Sequence, residues 1–375
     1  MNQYVNCKSG VRLLMALVMG VVLFGIVISI AQAQTTTNYP NEDGQLRLRT
    51  TLTGKYDTVV VGTGWDGVSP SATLTLEVPI EASRVISAYM YWSAIQQSTT
   101  PDPTVLLRVD GGTPNPVTAS TVYGPSTWFS NYIHVAYVAD VTSLITTPGE
   151  HTYTVSDYAL GGGQFSYFYG FSILVVYEDL SLTQTEIHLL DGLDSVYWGF
   201  PAPRNSPSSV NCITFAPNNI KDRVMDFTII AGGVEDTPGV LRPNNLYYVT
   251  FVSPNTPTLT TPPSAPYVQI PEPLSSADGP EVDTYENQIM VPTGDTAACF
   301  LMESVAPTPP DNLDGASFIW QVGAFRIEKE GFTAVNLQSI TAVSPSTYVL
   351  LTSLVGLLFL AVPTAVVMRQ RRRQV

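Results

Sequence analysis

Along residues 45–330, apolar side chains recur with a period of two rather than 3.6, the pattern of strands. Ala72, Leu74, Leu76 and Val78 alternate with Ser71, Thr73, Thr75 and Glu77. Val105, Leu107 and Val109 repeat the pattern, as do Ile133, Val135 and Tyr137, and Tyr153 and Val155 stand between threonines. Such spacing sends alternate side chains to opposite faces of a pleated strand. Residues 171–177 are almost continuously apolar, which predicts a central strand covered on both faces. Further β-rich runs occupy 212–215, 225–230, 246–252, 297–302 and 318–327. Asp110-Gly111-Gly112, Thr147-Pro148-Gly149, Gly161-Gly162-Gly163, Asp191-Gly192 and Asp314-Gly315 predict reversals. About a dozen short strands between Gly/Pro turns predict an all-β fold of one or two β-sandwich or jelly-roll-like domains. A division after Leu193 gives a first sandwich at 34–193 and a second at 194–330. Within the second, 253–280 contains prolines 254, 257, 262, 263, 266, 271, 273 and 280. Proline has no N–H to give a ladder, so this stretch reads as a long surface loop or an extended edge segment.

The two ends break the β pattern. Lys8 and Arg12 precede an apolar run to Ile30, and Ala31-Gln32-Ala33 follows. This is the layout of a secretory signal peptide at 1–33, cleaved between Ala33 and Gln34. At the other end, 347–368 holds 22 residues without a charge. At about 1.5 Å per residue, a helix of that length covers a bilayer's hydrocarbon core. Arg369, Arg371, Arg372 and Arg373 follow at once, a stop-transfer cluster that keeps the tail 369–375 on the cytoplasmic side. Residues 331–346 then form a short stalk. The expected topology is single-pass type I, with the ectodomain at the cell surface.

Composition sharpens this picture. Of 375 residues, 45% are apolar, enough for a large core, and 13% are charged. Acids outnumber bases 31 to 17, and six of the bases lie in the signal and the tail. The exported part is therefore strongly acidic. It lacks the basic surface that nucleic-acid binding requires.

Candidate chemistry is sparse. Cys7 falls in the signal, which leaves Cys212 and Cys299 as a disulfide candidate in an oxidising compartment. His134, His151 and His188 lack metalloprotease spacing, and there is no Gly-x-Ser-x-Gly elbow. All three read as core or cross-strand residues. Carboxylates pair at Glu178-Asp179, Asp191/Asp194, Glu235-Asp236, Asp278/Glu281/Asp283 and Asp311/Asp314. Asp191, Asp194, Asp278, Glu281 and Asp283 are weak calcium-ligand candidates, with oxygen donors close together in turn-like sequence. No other cofactor is expected. A glycoside hydrolase would need two such carboxyls in an aromatic cleft, which 19 Tyr and 5 Trp could line.

Several phrases form an ordered set: Ala88-Tyr89-Met90-Tyr91-Trp92, Val109-Asp110-Gly111, Ala139-Asp140-Val141-Thr142 and Thr152-Tyr153-Thr154-Val155. Gly170-Phe171-Ser172-Ile173-Leu174-Val175-Val176-Tyr177-Glu178 follows, leading into Leu190-Asp191-Gly192-Leu193. Val282-Asp283-Thr284-Tyr285 and Pro292-Thr293-Gly294-Asp295-Thr296-Ala297 close it. In this order the set resembles the N-terminal β-rich globular module of large bacterial cell-surface, adhesin-like proteins. The resemblance implies surface exposure and supplies no catalytic residues. Unlike larger members, this chain has no repeat array after the module. The expected role is structural or adhesive, with a glycan or surface-protein partner, and not enzymatic. The alternatives are an extracellular carbohydrate-active enzyme and a calcium-binding envelope module.

Overall fold

The computed structural model describes residues 37–39 and 43–329, apart from 66–70, 98–101, 129–130, 159–165, 201–206, 235–241, 261–262, 276–277 and 307–315. The expected signal peptide with its Ala33/Gln34 cleavage site, the stalk, the 347–368 segment and the arginine tail lie outside the described residues. So do Glu235-Asp236, Asp311/Asp314 and the turns at Gly161 and Asp314. Among the described residues, no helix is long and apolar enough to cross a membrane.

The described chain is all β. Its strands are β1 (Thr37–Tyr39), β2 (Arg47–Gly54), β3 (Tyr56–Gly64), β4 (Ser71–Val78), β5 (Arg84–Gln96) and β6 (Thr104–Val109). β7 (Asn115–Thr118), β8 (Thr121–Thr127), β9 (Ile133–Asp140), β10 (Gly149–Ser156), β11 (Tyr167–Glu178) and β12 (Thr185–Val196) follow. The rest are β13 (Asn211–Thr214), β14 (Arg223–Gly232), β15 (Asn244–Phe251), β16 (Val268–Pro271), β17 (Val282–Val291), β18 (Ala297–Ser304) and β19 (Phe318–Glu328). They form four sheets: β1-β8-β9-β5-β11-β3, β4-β10-β6-β7, β17-β14-β19-β12-β2 and β13-β18-β15-β16. All the pairings are antiparallel except β1 with β8.

Alternation decides which face packs where. Leu74, Leu76, Val105, Leu107, Tyr153 and Val155 of the β4 sheet share a core with Met90, Trp92, Val135, Tyr137, Ile173 and Val175 of the β5 sheet. The opposite face of the β5 sheet gives Tyr91, Ala136, Val138, Leu174 and Val176 to a second core. There they meet Ile187, Leu189, Ile230, Val322 and Ala324 of the β19 sheet. The far side of the β19 sheet packs Phe227, Ile229, Phe318, Trp320 and Phe325 against Leu246, Ala298, Phe300 and Met302 of the β18 sheet. The result is four stacked layers, two sandwich-like pairs joined face to face. β11 lies between β5 and β3, with alternate residues in the first and second cores, as its continuous apolar run predicts.

Two features of the chain differ from the expected pattern. Asp191-Gly192 is no reversal: β12 runs through it, with a register shift between Asp191 and Asp194. Gly192 is there for a close approach. A Cβ on it would lie 3.1–3.3 Å from Leu46, whose segment is tied in by the Gly44 N–H to the Leu193 carbonyl. A domain break after Leu193 would therefore cut a strand. The layers divide differently, because β2 pairs with β12 in the second sandwich. The proline-rich stretch is part loop and part edge: β16 pairs with β15, and Leu259 and Tyr267 cover the outer face at Tyr247, Val249, Cys299 and Leu301.

Candidate functional site

A hollow of about 470 Å³ opens beside the β19 sheet, where the β3 edge strand passes it. Strand register builds its floor. Asp226 of β14 stands between Gln288 of β17 and Arg326 of β19. One row along, Thr228 stands between Glu286 and Ala324. Thr228 and Ala324 are small, so the floor dips there, and Asp57 and Thr58 of β3 form the facing wall.

Arg326 ties the walls together. Its Nη1 donates to Asp226, and its Nε lies 3.2 Å from both Asp57 Oδ1 and the Tyr56 carbonyl oxygen. Gln288 Nε2 donates to Asp226 Oδ1 at 2.7 Å, and Thr228 Oγ1 donates to Glu286 Oε1 at 3.3 Å. Asp57 and Asp226 thus face one guanidinium, and Glu286, bonded to Thr228, lines the same hollow. Partial burial raises the Asp57 carboxyl above its ordinary range, against the pull of Arg326. Partial burial also raises Glu286, which keeps an exposed flank; Thr228 opposes the shift, and the negative charges of Asp57, Asp278 and Asp226 add to it. A cation entering the hollow would relieve both groups. The volume fits a sugar ring or an amino-acid side chain rather than a bare ion alone. One aromatic ring, Phe227, lines it, and that ring is buried in the core behind.

The predicted calcium ligands have other partners. Asp191 is buried between the two sandwiches, where Arg49 Nε, Tyr91 Oη (3.2 Å) and Tyr123 Oη (2.6 Å) all donate to it. Burial and then the Asp191 charge push the Tyr91 phenol well up, so Tyr91 stays a donor. Asp194 accepts the Ser209 N–H at 2.8 Å. Asp278 accepts the Thr284 N–H and hydroxyl, and Asp283 accepts the Ser275 N–H. Glu281 gives its backbone carbonyl to the Gly233 N–H. Among the described residues, no group of three or more His, Cys, Asp or Glu side chains is placed to hold a metal ion.

Cys212 and Cys299 face each other in register on β13 and β18 and are joined by a disulfide. His134 is buried, 2.9 Å from Tyr169 Oη and 3.3 Å from Ser195 Oγ, and Trp128 stacks on its ring. Tyr197 and Phe200 continue this aromatic cluster at the end of the layers away from the hollow. His188 Nε2 lies 2.8 Å from Glu186 Oε1, and His151 Nδ1 lies 2.7 Å from Asp110 Oδ2. Glu178 binds Ser83 and Arg84, and Asp179 caps its own turn through Ser181.

Residues 38–252 match a family described as "Protein of unknown function (DUF3344)". No curated protein matches the sequence. Among solved structures, the ANX1 ectodomain from Arabidopsis thaliana is 9% identical, with a TM-score of 0.26 over 76% of this chain and 90% of that one. N-glycanase F (PNGase F) is 13% identical, with a TM-score of 0.24 over 72% of this chain and 95% of that one. At these scores the likenesses carry no inference about role.

Proposed function

The chain belongs to the DUF3344 family of proteins of unknown function, so a role has to be argued from its own residues, and we propose that it is a single-pass cell-surface binding module. In this reading residues 1–33 are a cleaved signal, 347–368 span the membrane, and two jelly-roll-like sandwiches form a rigid ectodomain. The module takes a positively charged group, an amino sugar or a basic side chain of a surface partner, into the hollow. The observation that supports this is the excess of three carboxyls over one guanidinium, with Asp57 and Glu286 both raised by partial burial. Ionised, the three carboxyls have one guanidinium in the hollow, already paired to Asp57 and Asp226, and a protonated amine supplies a further counter-charge.

Calorimetric titration with glucosamine oligomers and lysine amides, against their neutral N-acetylated forms, tests the reading. Glu286→Gln should weaken amine binding about tenfold, the loss of one charge-assisted contact. Equal binding of the neutral forms, or no binding of either, would sink it. Millimolar Ca²⁺ in the same titration separates an amine site from a calcium module.

A second reading, a glycoside hydrolase, is favoured by the same two raised carboxyls sharing one cavity. It lacks a stacking ring in the hollow, because the Trp128 cluster lies at the other end of the layers. Turnover of chromogenic glycosides that disappears in Glu286→Gln would support it.

A further inference from the structure

Eight large apolar side chains stand exposed among the described residues, and their positions are uneven. Ile80, Leu180, Ile220, Val252 and Met290, between 51% and 80% exposed, lie at one end of the layers. The end of β19 marks it: Glu328 is opposite Thr185, which is opposite Gly54. Lys55, in the turn after Gly54, donates to the Leu180 carbonyl at 2.7 Å. Ser83, which closes the Ile80 turn, donates its N–H to the Glu178 carbonyl. Lys221, beside Ile220, lies 3.8 Å from Glu328. Met290 pairs with Val224 at the same strand ends. Ser253, beside Val252, donates its N–H to Thr296, whose carbonyl accepts the Phe215 N–H. Each of the four sheets therefore offers an aliphatic tip at the end where the chain runs on to residue 329. Leu48, Trp198 and Val268 lie away from it.

We propose that this end seats on the surface of the lipid bilayer that anchors the chain, with the apolar tips in the headgroup layer. The inference rests on the single-span reading given above. The 18 residues from 329 to 346 reach at most about 60 Å when extended, so the tether alone permits both a seated and a standing ectodomain. Five aliphatic tips on four adjoining sheet ends favour the seated one, because their transfer from water into the interface is favourable. Tethering keeps the local lipid concentration high, so shallow contacts suffice. The same end bears Glu178, Asp179 and Asp222, held below their ordinary carboxyl values by hydrogen bonds from Ser83, Ser181 and Thr293. They stay ionised, and Lys55, Arg84 and Lys221 stand at the same end, so the charged groups limit seating to the surface.

The test uses the mature chain, residues 34–375, reconstituted in phosphatidylcholine vesicles that contain a headgroup-level spin-labelled lipid. An environment-sensitive dye is attached at Ile220→Cys, Leu180→Cys or, at the opposite end, Trp198→Cys. Quenching at positions 220 and 180 should exceed that at 198 by about threefold or more. Equal quenching at all three positions on a chain that floats with the vesicles overturns the seating and keeps the anchor. A chain that does not float with the vesicles removes both. Dye-to-dye energy transfer that rises with protein density, without lipid quenching, makes a second copy the occupant and also overturns the proposal.

Discussion

Asp191 concentrates most of the buried charge between the two sandwiches. It is 1% exposed, and its carboxylate accepts from one guanidinium and two phenols. Removing one member of a buried ion pair strands the other, a cost of about 3–5 kcal/mol. Asp191→Ala should therefore lower unfolding free energy by about 3 kcal/mol, measured by denaturant titration, and an unchanged midpoint would deny the network a structural role. Glu286 makes the opposite prediction. Its carboxyl is raised above the ordinary 4.5 in the folded chain, so above that pH the native state keeps a proton that the unfolded state has lost. Stability then falls as pH rises through the window between 4.5 and the raised value, and Glu286→Gln should flatten that part of the curve. Amine binding should run the other way, strengthening as pH climbs through the same window.

At the scale of the strand, much of the fold was legible and some was not. β4, β6, β9, β10, β11, β14, β15, β18 and β19 follow from alternation or apolar runs, because one or both faces are buried. Gly170 lies inside β11 at the register shift after Phe168, where a Cβ would lie 2.1 Å from the Thr63 carbonyl oxygen. β12 was not legible. Its Asp-Gly pair has turn chemistry, and only the tertiary approach of Leu46 makes it a bulge. β2 and β17 are polar edge strands with weak alternation. The hollow was half visible. Asp226 and Arg326 are charges inside otherwise apolar runs, whereas Asp57 and Glu286 sit in polar sequence, Asp57 meeting them through sheet packing and Glu286 through the β14–β17 ladder. The disulfide ties the four-residue edge strand β13 to β18 across a separation of 87 residues. A loop of that length supports roughly 4.5 kcal/mol in the chain-entropy account. Cys212→Ser with Cys299→Ser should lower the melting temperature by several degrees. A variant that melts like the parent would leave β13 held by its ladder alone.

Over the whole molecule, the shared core between the β5 and β19 sheets governs cooperativity. Leu174 and Val176 on one side and Ile187, Leu189 and Val322 on the other are all 0–1% exposed. Neither sandwich can melt without exposing the other's inner face, so calorimetry should record one transition whose calorimetric and van't Hoff enthalpies agree. Two resolved transitions would show that the sandwiches are independent. The order of strands in the β19 sheet has a further consequence. The sheet runs β17-β14-β19-β12-β2, so its middle strand is the last one the chain supplies. A polypeptide made from its N-terminus outward has β2 and β12 on one side, β14 and β17 on the other, and an empty slot between them until Phe318–Glu328 arrives. Gly54 and Thr185 are neighbours in that sheet, so residues 55–184 are a long excursion from a single hairpin. Most of the first sandwich can be complete while the second still waits. A nascent chain that stalls short of residue 318 would display two unpaired, apolar strand edges, and quality control would read it as unfinished.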